Sequence, residues 1–374
     1  MLNIDLKLSR LAYFFIAGLC LSYYYLGEMR VVVLSAYIVG ILYLLNALKL
    51  TRADILILSI LTYSVVYNLL TYVNIAVLLF TLRLNLGFLV FYYFFRSIKR
   101  PSIESLTIFL SLATIFEYIL IRILPALVDV LPNYADLTFH VTRTESIVGG
   151  VNSFGGNRTV SSIILLSLFA YLENINAKRR FRYLPLIASV LCFSGAGVTL
   201  TFVYFIWKYR KKLVLVPIMV VIVSILLLNT DGGTYSWDKF TIEYLFFIYN
   251  YKVEQILHTV DMMDGKVINY IFGIGDSAFS SYEGEIAGYG STFGDFLMLD
   301  FFTRFGILGM AIIVGVIIAS ANKKTILPML IMFAGTFHYH VIFSVIGQFI
   351  FGYLLASGSA GAVNQQSQRT AEDQ

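Results

Sequence analysis

The chain alternates between long apolar runs and short polar connections. Apolar runs of about 20 residues recur from end to end, and an α-helix needs about that length to cross ~30 Å of hydrocarbon. Because a backbone in lipid must satisfy its own hydrogen bonds, these runs predict transmembrane α-helices. We predict eleven or twelve spans, at approximately 11–27, 31–48, 54–71, 75–95, 103–123, 160–175, 184–196, 198–207, 213–229, 292–320, 325–339 and 341–357.

The number of predicted spans depends on two short apolar runs, 184–196 and 198–207. They are either two helices joined by a turn at SGAG (194–197) or one long helix. The flanking sequences KRRFR (178–182) and KYRKK (208–212) are both strongly basic. Two basic flanks on one side of a membrane require an even number of crossings between them, which favours the hairpin.

Basic residues also predict the orientation, because they recur in alternate connections. By the positive-inside rule those connections are cytoplasmic, and so are both termini. The residues are Lys7, Arg10, Lys49, Arg52, Arg96, Lys99, Arg100, the two clusters above, Lys323 and Lys324. We therefore predict an all-α polytopic membrane domain over 1–357, followed by a polar, disordered cytoplasmic tail over 358–374.

Composition agrees with a membrane protein, since 59% of the residues are hydrophobic and only 13% are charged. The net charge of +5 follows from the short basic connections, so no nucleic-acid partner is expected. Cys20 and Cys192 lie in apolar runs and are predicted to be buried apolar side chains, not a disulfide. The aromatic clusters SYYYLG (22–27) and FYYFF (91–95) predict interfacial belts.

Two longer polar segments, about 124–159 and 230–291, fall on the side opposite the basic connections. The first contains RTESIVGGVNSFGGNRTV (143–160), with four glycines that would let a ligand approach the backbone. An arginine at a helix N-terminus suits an anionic group, above all a phosphate. The alternative is a solvated loop with a glycine turn and a helix N-cap. The candidate residues here are His140, Arg143, Glu145, Asn157 and Arg158.

Arg83 lies well inside an apolar run, about two turns from its outer end. A charge at that depth is costly and faces a protein interior or a water-filled cavity. Snorkelling to the interface is the structural alternative.

The second polar segment holds FGIGDSAF (272–279) and leads into GYGSTFGDFLMLDFFTRFGILGM (288–310). Its candidates are Asp276, Asp295 and Arg304, although Asp300 could simply pair with Arg304 one helical turn away. His338 and His340 lie near an outer boundary as candidate substrate contacts. Their spacing of two points them to different helix faces, so we predict no metal site.

The order of these motifs resembles one membrane-enzyme superfamily. An outer Arg-x-Glu, a glycine pair and GGNR opening a span are followed by SGAG, FGIG and TRFGILGM. Over about 75–355 this order is similar to that of the Wzy-type polysaccharide polymerases and the related O-antigen ligases. The resemblance implies a GT-C-type glycosyltransferase of the bacterial inner membrane. It would join undecaprenyl-diphosphate-linked oligosaccharides on the periplasmic face, without a metal or other cofactor, alongside a chain-length regulator and a flippase.

The resemblance also implies roles for residues. Arg143 and Arg158 match the family arginines thought to engage the diphosphate, and Arg83 is a third candidate. Such arginines would neutralise the leaving group as the glycosidic bond breaks. The acceptor hydroxyl needs a base or strong electrophilic assistance, for which the candidates are Glu145, Asp276, Asp295 and His140.

This chain departs from the family pattern at two places, and one of them bears on whether it is a polymerase or a ligase. Relatives often carry S-R-G where this chain has SGA (194–196), so that arginine is missing. Ligases tend to place a histidine at the start of the span after the long loop, where this chain reads STFGD (291–295), which favours a polymerase. A ligase, a polysaccharide-lipid transporter or flippase and an accessory subunit remain open. A transporter would show repeated halves and polar groups near the midplane.

Overall fold

The structure is a computed structural model. It describes most of the chain, namely residues 6–25, 37–38, 54, 59, 62, 66, 86–96, 98, 102–126, 130, 150–209, 242–274, 297–337 and 339–372. Every regular element within these ranges is helical, as predicted.

Twelve α-helices are named here, together with one 3-10 turn at Ser153–Gly155. They are α1 (Leu6–Tyr25), α2 (Leu86–Arg96), α3 (Glu104–Ile123), α4 (Arg158–Asn174), α5 (Arg179–Arg182), α6 (Leu184–Leu191), α7 (Gly195–Tyr209), α8 (Ile242–Met262), α9 (Val267–Phe272), α10 (Leu297–Ser320), α11 (Ile326–Thr336) and α12 (Val345–Glu372).

Two of these helices are long and apolar enough to cross a membrane. They are α3 over its whole length and α10 from Phe301 to Ser320. Shorter apolar stretches lie in α1, α2, α11 and α12. The twelfth helix continues through 358–372, where the sequence predicts a disordered tail.

Helix α4 lies at the centre of the bundle. Residues 159–172 are all buried, whatever their side-chain type. Small and hydroxylated residues allow this packing. Gly335 of α11 lies directly against Ile163, and the Ser167 hydroxyl donates to the Pro328 carbonyl at 3.0 Å. The helix has no charged face toward solvent because neighbours surround it on every side.

The predicted hairpin at SGAG is present. Helix α6 ends at Leu191, Phe193 takes a positive φ of 45°, and α7 begins at Gly195. Along α4, Ser189 lies beside Ser162, while the Tyr183 ring lies beside Phe169, so α6 runs antiparallel to α4. The opposite order holds for α7, whose start lies near Thr159 and whose end lies near Asn174. One long helix is therefore excluded.

Three of the basic connections, those after α4, after α7 and before α11, meet at one end of the bundle, called here the basic end. Lys208 forms a 3.2 Å ion pair with Glu173 and donates to the Asn174 side chain at 3.3 Å. Asn174 in turn donates to the Lys324 carbonyl at 3.2 Å. The ends of α4 and α7 and the start of α11 thus share one level. The opposite end, called the loop end, carries residues 150–157, 192–194, 337 and 339–344.

The cluster FYYFF is not an interfacial belt. Four of its five aromatic residues are buried, and they pack inward against α1 and α12. The Phe95 ring meets Tyr13, Phe349 and Tyr353 with centroids 5.1 to 6.0 Å apart. Periodicity could not reveal this, because the face that α2 turns inward depends on its neighbours. Cys20 and Cys192 are free and buried, as predicted.

The second polar segment contains two helices that the sequence analysis did not predict. Helix α8 and the short α9 are joined by a turn at Asp264 and Gly265, both with positive φ. Lys266 pairs with Asp264 at 2.6 Å across this turn. Helix α9 packs on α10, which ties the segment to the bundle.

The motifs FGIG and TRFG meet where α10 is kinked. Gly306 has a φ of 61° and a ψ of −163°, which interrupts the helical ladder. The Thr303 carbonyl instead accepts the Ile274 N–H at 2.8 Å. A Cβ on Gly273 would overlap the Arg304 carbonyl, and one on Gly306 would overlap the Ile271 carbonyl. These glycines are needed because two backbones touch.

We expect Gly306→Ala to destabilise the fold by about 2–3 kcal/mol, because only glycine adopts this backbone conformation readily and the added methyl overlaps a carbonyl. Gly315→Ala on the same helix is the matched control, since a Cβ there meets nothing within 4 Å. SDS-induced unfolding of the purified protein measures both. Equal stability of the two variants would contradict the proposed cause.

Candidate substrate site at the loop end

The second half of the segment RTESIVGGVNSFGGNRTV (143–160) is buried. Residues 151–155 lie inside the bundle, and residues 156–158 are half-buried. This part of the segment is therefore not solvated, although the glycine turn and the helix N-cap of that alternative are both present. A buried loop must satisfy its backbone polar groups inside the protein, so its hydrogen bonds decide its shape.

Serines of α4 and unusual backbone angles hold the loop. The Ser161 hydroxyl donates to the Asn152 carbonyl and accepts the Gly155 N–H at 2.9 Å. Ser153 and Gly156 take positive φ angles of 54° and 66°, which fold the chain back toward α4. The glycine-rich sequence thus makes a compact turn that places Arg158 at the start of a helix.

Glu117 of α3 binds the same loop from the other side. Its Oε1 accepts the Ser153 N–H at 3.0 Å, and its Oε2 accepts the Tyr25 hydroxyl at 2.6 Å. The Ser153 hydroxyl also lies 2.7 Å from the Thr114 hydroxyl. Glu117 is only 6% exposed, so α1, α3 and the loop are joined through one buried carboxylate. Both of its oxygens accept hydrogens, as those of an ionised carboxylate do.

Glu117 is not among the residues predicted from the sequence. It lies within the predicted span 103–123, at the third nearest the loop end. The rule that singled out Arg83 applies equally here, because a charge inside an apolar span is costly and marks a special environment.

Asn157 is the N-cap of α4. Its side-chain oxygen accepts the Thr159 N–H at 2.8 Å, which satisfies one of the amides that a helix start leaves without a helical partner. Asn157 therefore has a structural role, and Arg158 is the first residue of the helix. The neighbouring Thr159 hydroxyl accepts a 2.8 Å hydrogen bond from Ser194. This contact joins GGNR to the SGAG turn.

The turn at Cys192 and Phe193 lies near Arg158 and against Tyr118, whose ring carries Arg122. Arg158 and Glu117 are both close enough to the Cys192 thiol to interact with it electrostatically. Arg122 lies on the ring of Tyr118 at 3.5 Å from its centroid, and that ring stacks on Phe193. A Cβ on Gly150 would overlap the Cys192 carbonyl, so the loop and the turn touch directly.

Arg122 is a second residue that the sequence analysis missed. The available signal was its position, since it lies at the end of α3 opposite the basic end. An arginine there runs against the positive-inside rule and so needs another explanation.

Arg304 is buried at a similar level. It is 2% exposed and lies on the loop-end side of the kink at Gly306, which is itself about 21 Å along α10 from Ser320. Arg158 lies about 24 Å along α4 from Asn174, and Glu117 about 20 Å from the start of α3. Ionisable side chains from three helices thus lie toward the loop end.

The other candidates lie outside the described residues. These are Arg83, His140, Arg143, Glu145, Asp276, Asp295 and His338. The Asp300 side chain, and with it the predicted pair with Arg304, also lies outside the described side chains. In the described part of the chain, no three His, Cys, Asp or Glu side chains group as metal ligands would.

His340 lies in the turn between α11 and α12. Its carbonyl accepts the N–H groups of Phe343 and Ser344, at 3.1 and 2.6 Å, so it helps start α12. Burial lowers the pKa of His340 to about 4. The neutral imidazole is therefore favoured in the fold, and His340 is half-buried at the loop end.

This shift predicts a pH dependence. The folded pKa is below the unfolded value, so the stability contribution is complete above about pH 6.5 and is lost as pH falls toward 4. We expect a loss of about 2 kcal/mol at pH 4 from this half-buried group. His340→Gln should flatten the pH dependence of SDS unfolding between pH 6.5 and 4. If stability still falls with pH as steeply in His340→Gln as in the unsubstituted protein, other groups are responsible for the pH dependence.

No protein-family model, curated protein or solved structure matches the chain.

Proposed function

We propose that this chain is a polytopic glycosyltransferase of the bacterial inner membrane that joins undecaprenyl-diphosphate-linked repeat units. The reaction takes place at the loop end, facing the periplasm. The observation that carries the proposal is the buried cluster in which GGNR, the SGAG turn and Glu117 meet, with Arg158 opening the central helix beside it.

The level of the cluster supports a membrane enzyme. If the basic end marks the cytoplasmic interface, about 24 Å of helix puts Arg158 in the outer part of a ~30 Å hydrocarbon layer. A diphosphate attached to a lipid of the outer leaflet sits close to this level, at the outer interface. The exposed faces of α3 and α10 are apolar, with Phe109, Phe116, Ile307 and Ile318 all more than half exposed, as lipid-facing residues are.

The chemistry follows from the charges. In the transfer, the bond from the growing glycan to the diphosphate breaks, and the hydroxyl of the incoming unit forms a new glycosidic bond. Arg158 and Arg122 supply planar guanidinium groups that can bind phosphate oxygens with two parallel hydrogen bonds. They would stabilise the negative charge that grows on the departing diphosphate. The acceptor proton passes to one of the candidate bases, Glu145, Asp276, Asp295 or His140.

Glu117 acts in this proposal as a positioning residue. Both of its oxygens already accept hydrogen bonds from Ser153 and Tyr25. Its negative charge also lies near the Cys192 thiol. It holds the loop whose last residue precedes Arg158.

The test is a comparison of glycans from cells with and without the gene. If the protein is a polymerase, cells without the gene should carry single repeat units on the final acceptor and should lack the ladder of longer chains. A complete ladder stranded on the lipid carrier would instead identify a ligase. Unchanged glycans would reject both and leave the transporter and accessory alternatives.

A further inference from the structure

Helix α8 has three distinct faces. Phe246, Tyr249, Val253, Ile256 and Val260 follow one another at spacings of three and four, so they form one stripe along the helix. We call these five residues the outer stripe. Tyr249 is 63% exposed and Phe246 61%, and Ile256 and Val260 are also exposed. A row of large apolar side chains therefore faces away from the protein.

The other two faces are polar or buried. Gln255, Thr259 and Met263 form the buried face, which turns toward the protein. Asn250, Glu254 and Asp261 are exposed and form a mainly polar row, into which the exposed Leu257 also falls. In a soluble helix the apolar stripe would face the core. Here a stripe with a polar row beside it points outward, which is the pattern of a helix lying in a membrane interface.

The apolar surface continues onto a candidate span. In α9, Val267, Ile268 and Ile271 are exposed, and the Ile271 backbone touches Gly306 of α10. The next residue, Ile307, is 56% exposed, and Val314 and Ile318 continue the exposed face of α10. Because this face of α10 would contact lipid, the α8–α9 surface is an extension of a lipid-facing surface.

We propose that α8 and α9 lie on the outer leaflet of the bilayer, with the outer stripe inserted among the lipids and the row at Asn250 facing water. Helix α9 contacts α10 at Gly306, about 21 Å along the helix from Ser320, which places both helices at the expected depth of that leaflet. The exposed Tyr249 of the outer stripe suits such an interface. This inference rests on the membrane placement in the proposed function, but on none of its catalytic assignments.

The experiment uses tryptophan fluorescence of the full chain in phospholipid vesicles. Trp207 and Trp237, the two tryptophans of the chain, are first replaced by phenylalanine. Tyr249→Trp then reports on the outer stripe, Glu254→Trp on the polar row, and Val314→Trp on the exposed face of α10. Phospholipids brominated near the headgroup and aqueous iodide are the two quenchers.

We expect the brominated lipid to remove roughly half of the Tyr249→Trp fluorescence, since one side of the stripe contacts lipid. Glu254→Trp should be quenched by iodide instead. If both are quenched by iodide while lipid quenches Val314→Trp, α8 is not on the membrane and the inference is wrong. If neither quencher reaches Tyr249→Trp, a protein surface covers the stripe, which also overturns it. If lipid fails to quench Val314→Trp, the membrane placement itself fails.

Discussion

Replacing Arg158 with alanine is expected to slow repeat-unit transfer by about 100- to 1000-fold, the loss typical when one charge-stabilising donor is removed. The guanidinium begins α4, where the helix N-terminus also favours an anion. Arg158→Lys should recover part of the activity, because lysine restores the charge but not the two-pronged geometry. The measurement is chain elongation by the purified enzyme in vesicles, from synthetic lipid-diphosphate oligosaccharides.

The matched control is Arg182→Ala. Arg182 lies near the basic end, and its guanidinium donates to the Ala177 carbonyl at 2.7 Å. It removes the same charge far from the proposed site, so elongation should stay near the unsubstituted rate. Membrane abundance and SDS unfolding show whether each variant folds. A folded Arg158→Ala enzyme that elongates normally would exclude the diphosphate role.

Arg122→Ala separates the two arginines. If both bind the diphosphate, their effects on elongation should not be additive, because the groups share one ligand. Arg122 also packs on Tyr118, so its loss affects the Phe193 turn as well. Tyr118→Leu removes the ring but keeps Arg122, and so serves as the control for that contact.

The sequence predicts those features of this protein that depend on local chemistry. The hairpin at SGAG follows from two basic flanks, and the N-cap at Asn157 follows from a polar residue before an apolar helix. Both depend on neighbouring residues in the chain, so no knowledge of the tertiary fold is needed. The all-helical architecture follows in the same way, from the length of the apolar runs.

Features that depend on distant partners could not be predicted. The aromatic residues at 91–95 are compatible with a lipid belt or a core, and only the positions of α1 and α12 decide between them. The kink at Gly306 depends on the backbone of Ile271, more than thirty residues earlier. The contact of Glu117 with Ser153 could not be predicted either, because the fold brings the two residues together and no sequence motif links them.

Replacing Glu117 with alanine is expected to destabilise the fold by about 4 kcal/mol, within the range for removing one partner from a buried charged network. The Ser153 N–H and the Tyr25 hydroxyl would each lose a hydrogen bond to a charged group. Glu117→Gln should cost less, about 2 kcal/mol, since the amide oxygen can still accept one of the two bonds. SDS-induced unfolding gives both values.

A double-mutant cycle with Tyr25→Phe tests whether the carboxylate acts through this contact. The 2.6 Å hydrogen bond between Tyr25 and Glu117 predicts a coupling energy of about 1–2 kcal/mol between the two positions. Glu254→Ala is the control, because that carboxylate is exposed on α8 and its removal should change stability by less than about 0.5 kcal/mol. Strictly additive effects of Tyr25→Phe and Glu117→Gln would show that the carboxylate does not hold α1 to the loop. In that case Arg158 would have to be positioned by α4 and the SGAG turn alone.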